Sequence, residues 1–252
     1  MDKGGKKVRR IRLIVAYDGT NYCGWQVQPN GISVQAVLQK TIEELVGEKI
    51  MLTGASRTDS GVHALGQVAV FDTTKPWPAE RFTPALNQRL PRDIVIQSSD
   101  EVAADFHPRY RDTLKTYEYR ILNRRTALPN ERFDSYWVPQ PLDVEAMAEA
   151  AKLLLGKHDF HNFCSLKTDV EDTVRTITHI SVEKEGDMIR LRITGDGFLY
   201  NMVRIIVGGL LKVGFHKKTA LDIRKSIESA DRYVVGPTAP AHGLTLEKIQ
   251  YL

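Results

Sequence analysis

The chain has 252 residues, 42% hydrophobic and 26% charged, which is enough length for one large or two ordinary domains and the composition of a soluble globular protein. The apolar run from Phe198 to Phe215 is broken by Arg204 and Lys212, which argues against a membrane span, and no apolar signal region follows the basic start Met1–Lys7. Cys23 and Cys164 stand far apart with neither metal-ligand nor redox spacing, so the reading is a cytoplasmic protein, and the net charge of +4 allows an anionic partner without demanding one.

In chain order, Ile11, Leu13 and Val15 alternate with Arg10, Arg12 and Ile14, a half-buried strand running up to Tyr17. Asp18-Gly19-Thr20-Asn21 reads as a turn. Ser33 is placed to cap a helix whose apolar residues Val34, Val37, Leu38, Thr41, Ile42, Leu45 and Val46 share one face, and Gly47 ends it. Strands are expected at Lys49–Thr53 and Val68–Phe71. Pro78 opens a second helix with Phe82, Ala85, Leu86 and Leu90 inward, and Ile94–Ile96 begins a strand region that runs less regularly to Phe106.

The second half nearly repeats this order. Leu114–Leu122 is a strand with Tyr117, Tyr119 and Ile121 on one face. Asp143 caps a helix with Val144, Met147, Ala148, Ala151, Leu154 and Leu155 inward. Ile177–Glu183 and Met188–Thr194 form a hairpin across Lys184-Glu185-Gly186-Asp187. A helix over Phe198–Val213, a short helix from Thr219 and a last strand near Leu244–Tyr251 complete the chain. The fold class is therefore α/β of the α+β kind. Two ferredoxin-like (RRM-like) β-α-β-β-α-β halves, 1–108 and 109–252, are expected to have mainly antiparallel sheets and a catalytic cleft between them. No residue-level repeat links the halves, and neither carries the aromatic signature of an RRM sheet.

Two stretches carry candidate chemistry. Between the expected strands after Gly47 lies Gly54-Ala55-Ser56-Arg57-Thr58-Asp59-Ser60-Gly61-Val62-His63-Ala64-Leu65-Gly66-Gln67, whose three glycines and small residues permit tight turning around one carboxylate, Asp59. By itself this is ordinary turn chemistry. Arg204 sits in a helix that is apolar nearly all round, and an unpaired buried guanidinium is strongly destabilising, so it either snorkels out or meets a carboxylate or phosphate. The functional reading joins the two: Arg204 holds Asp59 ionised, while Arg57 turns outward to a phosphate or an extruded base.

Basic residues form two sequence clusters. Lys3, Lys6, Lys7, Arg9, Arg10 and Arg12 crowd the N-terminus; Arg109, Arg111, Lys115, Arg120, Arg124, Arg125 and Arg132 surround Tyr110, Tyr117 and Tyr119. Cations neutralise phosphates and aromatics stack on bases, which suits nucleic acid; a solvated surface is the alternative. Tyr117 alone reads as strand packing. His158 and His161 have no third ligand placed by the sequence and read as surface or capping residues rather than a metal site. His63 reads as an orienting hydrogen-bond partner, Asp18 as a turn residue, and Gly208-Gly209 as a place of close helix packing.

The chain resembles the TruA family of tRNA pseudouridine synthases over nearly its whole length. The resemblance is carried by Tyr17-Asp18-Gly19-Thr20, Gly24-Trp25-Gln26, Ser33-Val34-Gln35 and Arg57-Thr58-Asp59-Ser60-Gly61-Val62-His63-Ala64. It continues through Phe106-His107-Pro108-Arg109, Lys115-Thr116-Tyr117-Glu118-Tyr119-Arg120, Phe198–Arg204 and Ala239-Pro240-Ala241-His242-Gly243-Leu244. Ser56 and Ser60 stand where the family more often has Gly and Ala, small-for-small changes.

The resemblance implies an isomerase that converts uridine to pseudouridine at positions 38, 39 and 40 of the tRNA anticodon stem-loop. It implies Asp59 as nucleophile, Tyr117 against the target base, Arg204 as the aspartate's ion-pair partner, and Arg57 filling the duplex or holding the flipped nucleotide. It also implies a homodimer, tRNA as the partner, no membrane association, no metal and no cofactor. Two other classes stay open: a non-catalytic RNA-binding or chaperone-like protein of the same fold, and a synthase acting at other sites.

Overall fold

Alternation at the chain's start builds the first sheet. In β1 (Arg9–Tyr17), Ile11, Leu13, Val15 and Tyr17 are buried while Arg12, Ile14 and Ala16 between them stay half-exposed. The computed structural model describes residues 7–29, 31–165, 172–230, 233 and 235–252, so Lys3 and Lys6 of the basic N-terminal cluster lie outside the described residues. The chain divides into two units, Met1–Arg111 and Asp112–Leu252. Among the described residues no helix is long and apolar enough to cross a membrane.

In the first unit, α1 (Val34–Val46) begins where the Ser33 hydroxyl accepts the Ala36 N–H, and ends at Gly47, whose φ of 67° lets its N–H reach the Glu43 carbonyl. Val34, Leu38, Thr41, Ile42 and Val46 face inward, while Val37 and Leu45 are only half-buried. β2 (Thr53–Gly54) pairs with β3 (His63–Thr73). A 3-10 turn at Ala79–Arg81, entered from Pro78, leads into α2 (Phe82–Asn87), and β4 (Ile94–Val102) follows. The antiparallel order is β4-β1-β3-β2. Phe71 on β3 packs edge-on against Phe82 of α2 with ring centroids 5.5 Å apart.

The strand expected at Lys49–Thr53 is a correction: only Thr53–Gly54 pairs. Ile50 and Leu52 do turn inward, with Met51 80% exposed between them. Their backbone is satisfied by α1 side chains instead of a strand. Ile50 N–H donates to Glu43 Oε1, Leu52 N–H to Gln39 Oε1, and Gln35 Nε2 to the Leu52 carbonyl at 2.8 Å.

The second unit starts with β5 (Thr113–Asn123) and β6 (Tyr136–Val138), which pair in parallel. α3 (Val144–Lys152) is capped by Asp143, which accepts the Ala146 N–H at 2.9 Å. β7 (Gly156–Asp159), β8 (Val174–Glu185) and β9 (Met188–Gly195) come next, with Gly186-Asp187 as the whole hairpin turn. α4 (Met202–Gly214), α5 (Ala220–Glu228) and β10 (Leu244–Tyr251) end the unit. Its order is β10-β5-β9-β8-β7. Taking β5, β8, β9 and β10 as first to fourth, the arrangement is 4-1-3-2, as it is for β1 to β4 in the first unit. Each unit is thus an antiparallel ferredoxin-like sheet, and the second carries β6, β7 and α5 as additions.

Two expectations in this unit need correction. The fourth helix begins at Met202 and not Phe198, because Asn201 takes the left-handed conformation (φ 62°) and interrupts the helical phase. Leu155 is 41% exposed: α3 ends at Lys152, so the 3.6-residue spacing no longer sets its direction. Close packing at Gly208 is observed, since a Cβ there would collide with the Pro237 carbonyl.

Candidate active-site residues

The stretch from Ala55 to Val62, between β2 and β3, is a loop held from both sides by its own unit. On the β3 side, Ala55 N–H bonds the Val68 carbonyl at 2.8 Å. Gln67, fully buried, bonds Ser56 twice: its Nε2 donates to the Ser56 carbonyl at 2.7 Å and its Oε1 accepts the Ser56 N–H at 3.1 Å. On the other side stands the segment between β1 and α1. Trp25 N–H donates to the Thr58 carbonyl, and Gly61 N–H and the Ser60 hydroxyl both donate to the Tyr22 carbonyl. The Tyr17 and Thr58 hydroxyls meet at 2.7 Å.

This crowding explains one glycine. Gly24 has φ 101°, and a Cβ on it would strike the Thr58 carbonyl oxygen and press on the Asp59 backbone. The loop therefore buries Ser56 and Thr58, leaves Asp59 half-buried, and sets Arg57 and Ser60 in solvent. The outcome is one carboxylate on a fixed backbone, two residues from an exposed guanidinium. Such a pair offers a nucleophile or cation-stabiliser beside an anion contact.

His63 opens β3 directly after the loop and is 8% exposed. Gly19 N–H donates to its Nδ1 at 3.0 Å, which places the ring proton on Nε2 and makes the histidine a brace for the turn after β1. Asp18 Oδ1 lies 3.2 Å from the same Nδ1. Burial raises the Asp18 carboxyl, yet the Thr20 hydroxyl (2.6 Å) and N–H (3.0 Å), with His63 beside them, outweigh it and hold the group below the usual carboxylate range. Asp18 is thus a turn residue whose charge serves its own backbone.

The second unit carries the other two candidates. Tyr117 on β5 is 6% exposed, opposite Ile193 of β9 and Leu246 of β10, with Phe198 edge-on at 5.3 Å. Arg204 on α4 is half-buried. Its Nε donates to the Ala239 carbonyl at 2.7 Å and its Nη1 to Asn201 Oδ1 at 2.8 Å, so part of the guanidinium braces the turn that starts its own helix. Arg57 and Asp59 share one loop of the first unit; Tyr117 and Arg204 belong to the second.

Several cations of the expected clusters are paired with carboxylates. Arg9 pairs with Glu101 at 2.6 Å, Arg10 with Asp72 and Arg12 with Asp100 at 2.8 Å, forming a ladder of opposite charges across β1, β3 and β4. Arg120 pairs with Glu131 and Asp134, and Arg124 with Asp187. Tyr119 is fully buried, with its hydroxyl on the Pro240 carbonyl, and burial pushes its pKa up. Of the three tyrosines in the second cluster only Tyr110 is exposed.

His158 bonds the Leu155 carbonyl and His161 lies beside Asp159, each within its local turn. Among the described residues no group of three or more His, Cys, Asp or Glu side chains is placed to hold a metal ion.

Comparison with known proteins matches these units to a family. The profile of the family described as tRNA pseudouridine synthase matches residues 13–111 and 150–252, one block in each unit. The chain belongs to the tRNA pseudouridine synthase family. A tRNA pseudouridine synthase A of Acetivibrio thermocellus is 50% identical over 244 residues, spanning 97% of this chain and 100% of that protein. The tRNA pseudouridine synthase A 2 of Clostridium perfringens has the same identity and coverage. The tRNA pseudouridine synthase A of Halalkalibacterium halodurans is 48% identical over 238 residues, 94% of this chain and 90% of its own length.

For this family of isomerases, sequence reading picked out the reactive-looking side chains but missed those that hold the loop. Tyr17 and Thr58 stood inside family motifs and Gln67 closed the candidate stretch, but none of the three carried a role in the sequence. A glutamine within an apolar strand run (Val68, Ala69, Val70, Phe71) was the one available hint, since a buried amide requires partners.

Proposed function

We propose that this isomerase converts uridine to pseudouridine in tRNA, at positions 38, 39 and 40 of the anticodon stem-loop. Asp59 is the nucleophile, Arg204 keeps its carboxylate ionised, Arg57 holds or replaces the flipped nucleotide, and Tyr117 lies against the target base. In this reading the chain works as functional halves 1–108 and 109–252, as a homodimer in the cytoplasm.

The observation that carries the reading is the pinned Asp59 loop. A half-buried carboxylate fixed by its neighbours' backbone bonds has little reorganisation left when it meets a substrate. Uridine and pseudouridine are isomers, so the reaction needs no oxidant, reductant or energy source. The N-glycosidic bond breaks, the uracil turns, and a carbon–carbon bond forms to the same ribose carbon, with a proton leaving C5 and one arriving at the released nitrogen. Asp59 acts at C1′ or C6, as carboxylates act in glycosidases. A uridine in a helical arm must first leave its stack, which costs a few kcal/mol.

The test is incubation with unmodified tRNA transcripts followed by site-by-site mapping of pseudouridine. Product at 38 to 40 is expected. Product only elsewhere would remove the substrate assignment, and no product at any position would remove the proposed tRNA reaction.

A further inference from the structure

Residues 106–111 form a braced surface that the proposed role of Asp59 does not use. The guanidinium groups of Arg12 and Arg111 both lie over the Phe106 ring, 5.7 and 5.4 Å from its centre, and the Phe106 carbonyl accepts from Arg10 at 3.0 Å. His107 Nδ1 accepts the backbone N–H groups of Arg109 (3.1 Å) and Tyr110 (3.3 Å), which fixes the ring's angle and leaves its proton on Nε2. Burial first, then the charges of Arg109 and Arg10, lower the His107 pKa and favour a neutral ring.

On this ring Tyr110 stacks nearly parallel, with centroids 4.2 Å apart and planes at 21°. Tyr110 is nevertheless 80% exposed, so with His107 covering one face the other is open to solvent. Arg109 ties the segment to the Asp59 loop, donating to the Gly54 carbonyl at 3.2 Å, one residue before the loop begins.

We propose that the stacked His107–Tyr110 pair is a nucleobase platform, which takes an unpaired RNA base on the open face of Tyr110 beside the Asp59 loop. The exposed Arg109 flanks it in the chain and supplies positive charge for an adjoining phosphate, while the exposed Arg111 is shared with Asp105 at 3.6 Å. An aromatic ring held rigid and open is costly to leave in water but suited to stacking, which accepts any base because every base has a π-face. The neutral imidazole backs the tyrosine without competing for phosphate. The inference rests on the reading that the substrate is tRNA, and it assigns the contact for a base other than the one that reacts.

Two experiments separate this inference from the tRNA reaction. In the first, tRNA binding and turnover are compared for wild type, Tyr110→Ala and Tyr110→Phe. Tyr110→Ala is expected to raise Kd and KM about tenfold, in the range of one lost base stack, with a smaller change in kcat, while Tyr110→Phe restores binding. Unchanged Kd in Tyr110→Ala, or Tyr110→Phe binding as weakly as Tyr110→Ala, overturns the platform even if wild type makes pseudouridine.

The second experiment needs no turnover. In Tyr110→Trp, a single-stranded RNA oligonucleotide of mixed sequence is expected to quench the added fluorescence beyond the background of Trp25, Trp77 and Trp137, whereas inorganic polyphosphate is not. Equal response to both, or to neither, means that no base stacks there.

Discussion

The Gln67 side-chain amide bonds both the N–H and the carbonyl of Ser56, as a neighbouring strand would, three residues before Asp59. The same Oε1 lies 3.2 Å from the Val68 N–H, so one buried side chain joins the loop to the strand that follows it. Beyond the Gly54–Ala69 pair of β2 and β3, Ala55 N–H still bonds the Val68 carbonyl, and Gln67 then ties Ser56 through its amide.

Gln67→Ala therefore strands two backbone groups of Ser56 in a buried setting. Each unsatisfied group costs about 1–3 kcal/mol, so a loss of about 3 kcal/mol is expected in denaturant unfolding. Turnover should fall more than tRNA affinity, because the loop that positions Asp59 is loosened. Gln67→Glu can still accept at Ser56 N–H but cannot, when ionised, donate to its carbonyl, and should lie between wild type and alanine. A variant with full turnover and full stability would contradict this assignment.

Gly24 makes a second prediction. Its φ of 101° and the nearby Thr58 carbonyl both exclude a side chain. Gly24→Ala should cost about 1–3 kcal/mol in backbone strain alone and displace Thr58 and Asp59. Turnover is the sharper readout, with a drop of at least tenfold expected and near-normal activity counting against the packing.

Asp222 predicts a pH dependence. The Tyr233 hydroxyl (2.6 Å), the Thr219 N–H and hydroxyl of the capping box, and Lys218 together pull its pKa well below the usual carboxylate range. The folded state thus favours the charged form more than the unfolded chain does. Its stabilisation is fully present above the ordinary carboxylate range and is lost as pH falls through the folded pKa. Asp222→Asn should lower the urea midpoint at pH 7, and the gap from wild type should narrow in strong acid. A gap that widens as pH falls would reverse the sign.

Salt gives the fourth prediction. Arg9, Arg10 and Arg12 are paired with carboxylates, so neutralising them should change the salt slope of tRNA binding less than neutralising the exposed Arg57 or Arg109. Removal of one phosphate contact lowers the slope by about one. Binding that is flat in salt for wild type would contradict phosphate-dominated recognition.

Local signals set how much was legible in the sequence. Ser33, Asp143 and Thr219 marked three helix starts, because a cap acts through neighbouring backbone that the sequence itself displays. Alternation placed β1, and the order of elements gave the ferredoxin-like units. What failed depended on non-local partners. Ile50 and Leu52 alternate like a strand, yet Gln35, Gln39 and Glu43 take the bonds a strand would make. Asn201 breaks the apolar run by its φ, which hydrophobicity does not encode. The arginines of β1 read as a phosphate surface until their cross-strand carboxylates are seen. In the candidate site, Asp59 and Arg57 read as ordinary turn chemistry until Arg204 and the family motif set them apart, and the role of Gln67 stayed hidden, because a clamp is defined by what it touches.

Asp59→Asn is the most direct test of the central claim. It preserves size and backbone bonds while removing the charge. Measured by pseudouridine mapping on tRNA transcripts, with binding followed in parallel, it is expected to abolish product at every position and leave tRNA affinity largely intact. Near-normal product formation by Asp59→Asn would contradict the assignment of Asp59 as the nucleophile.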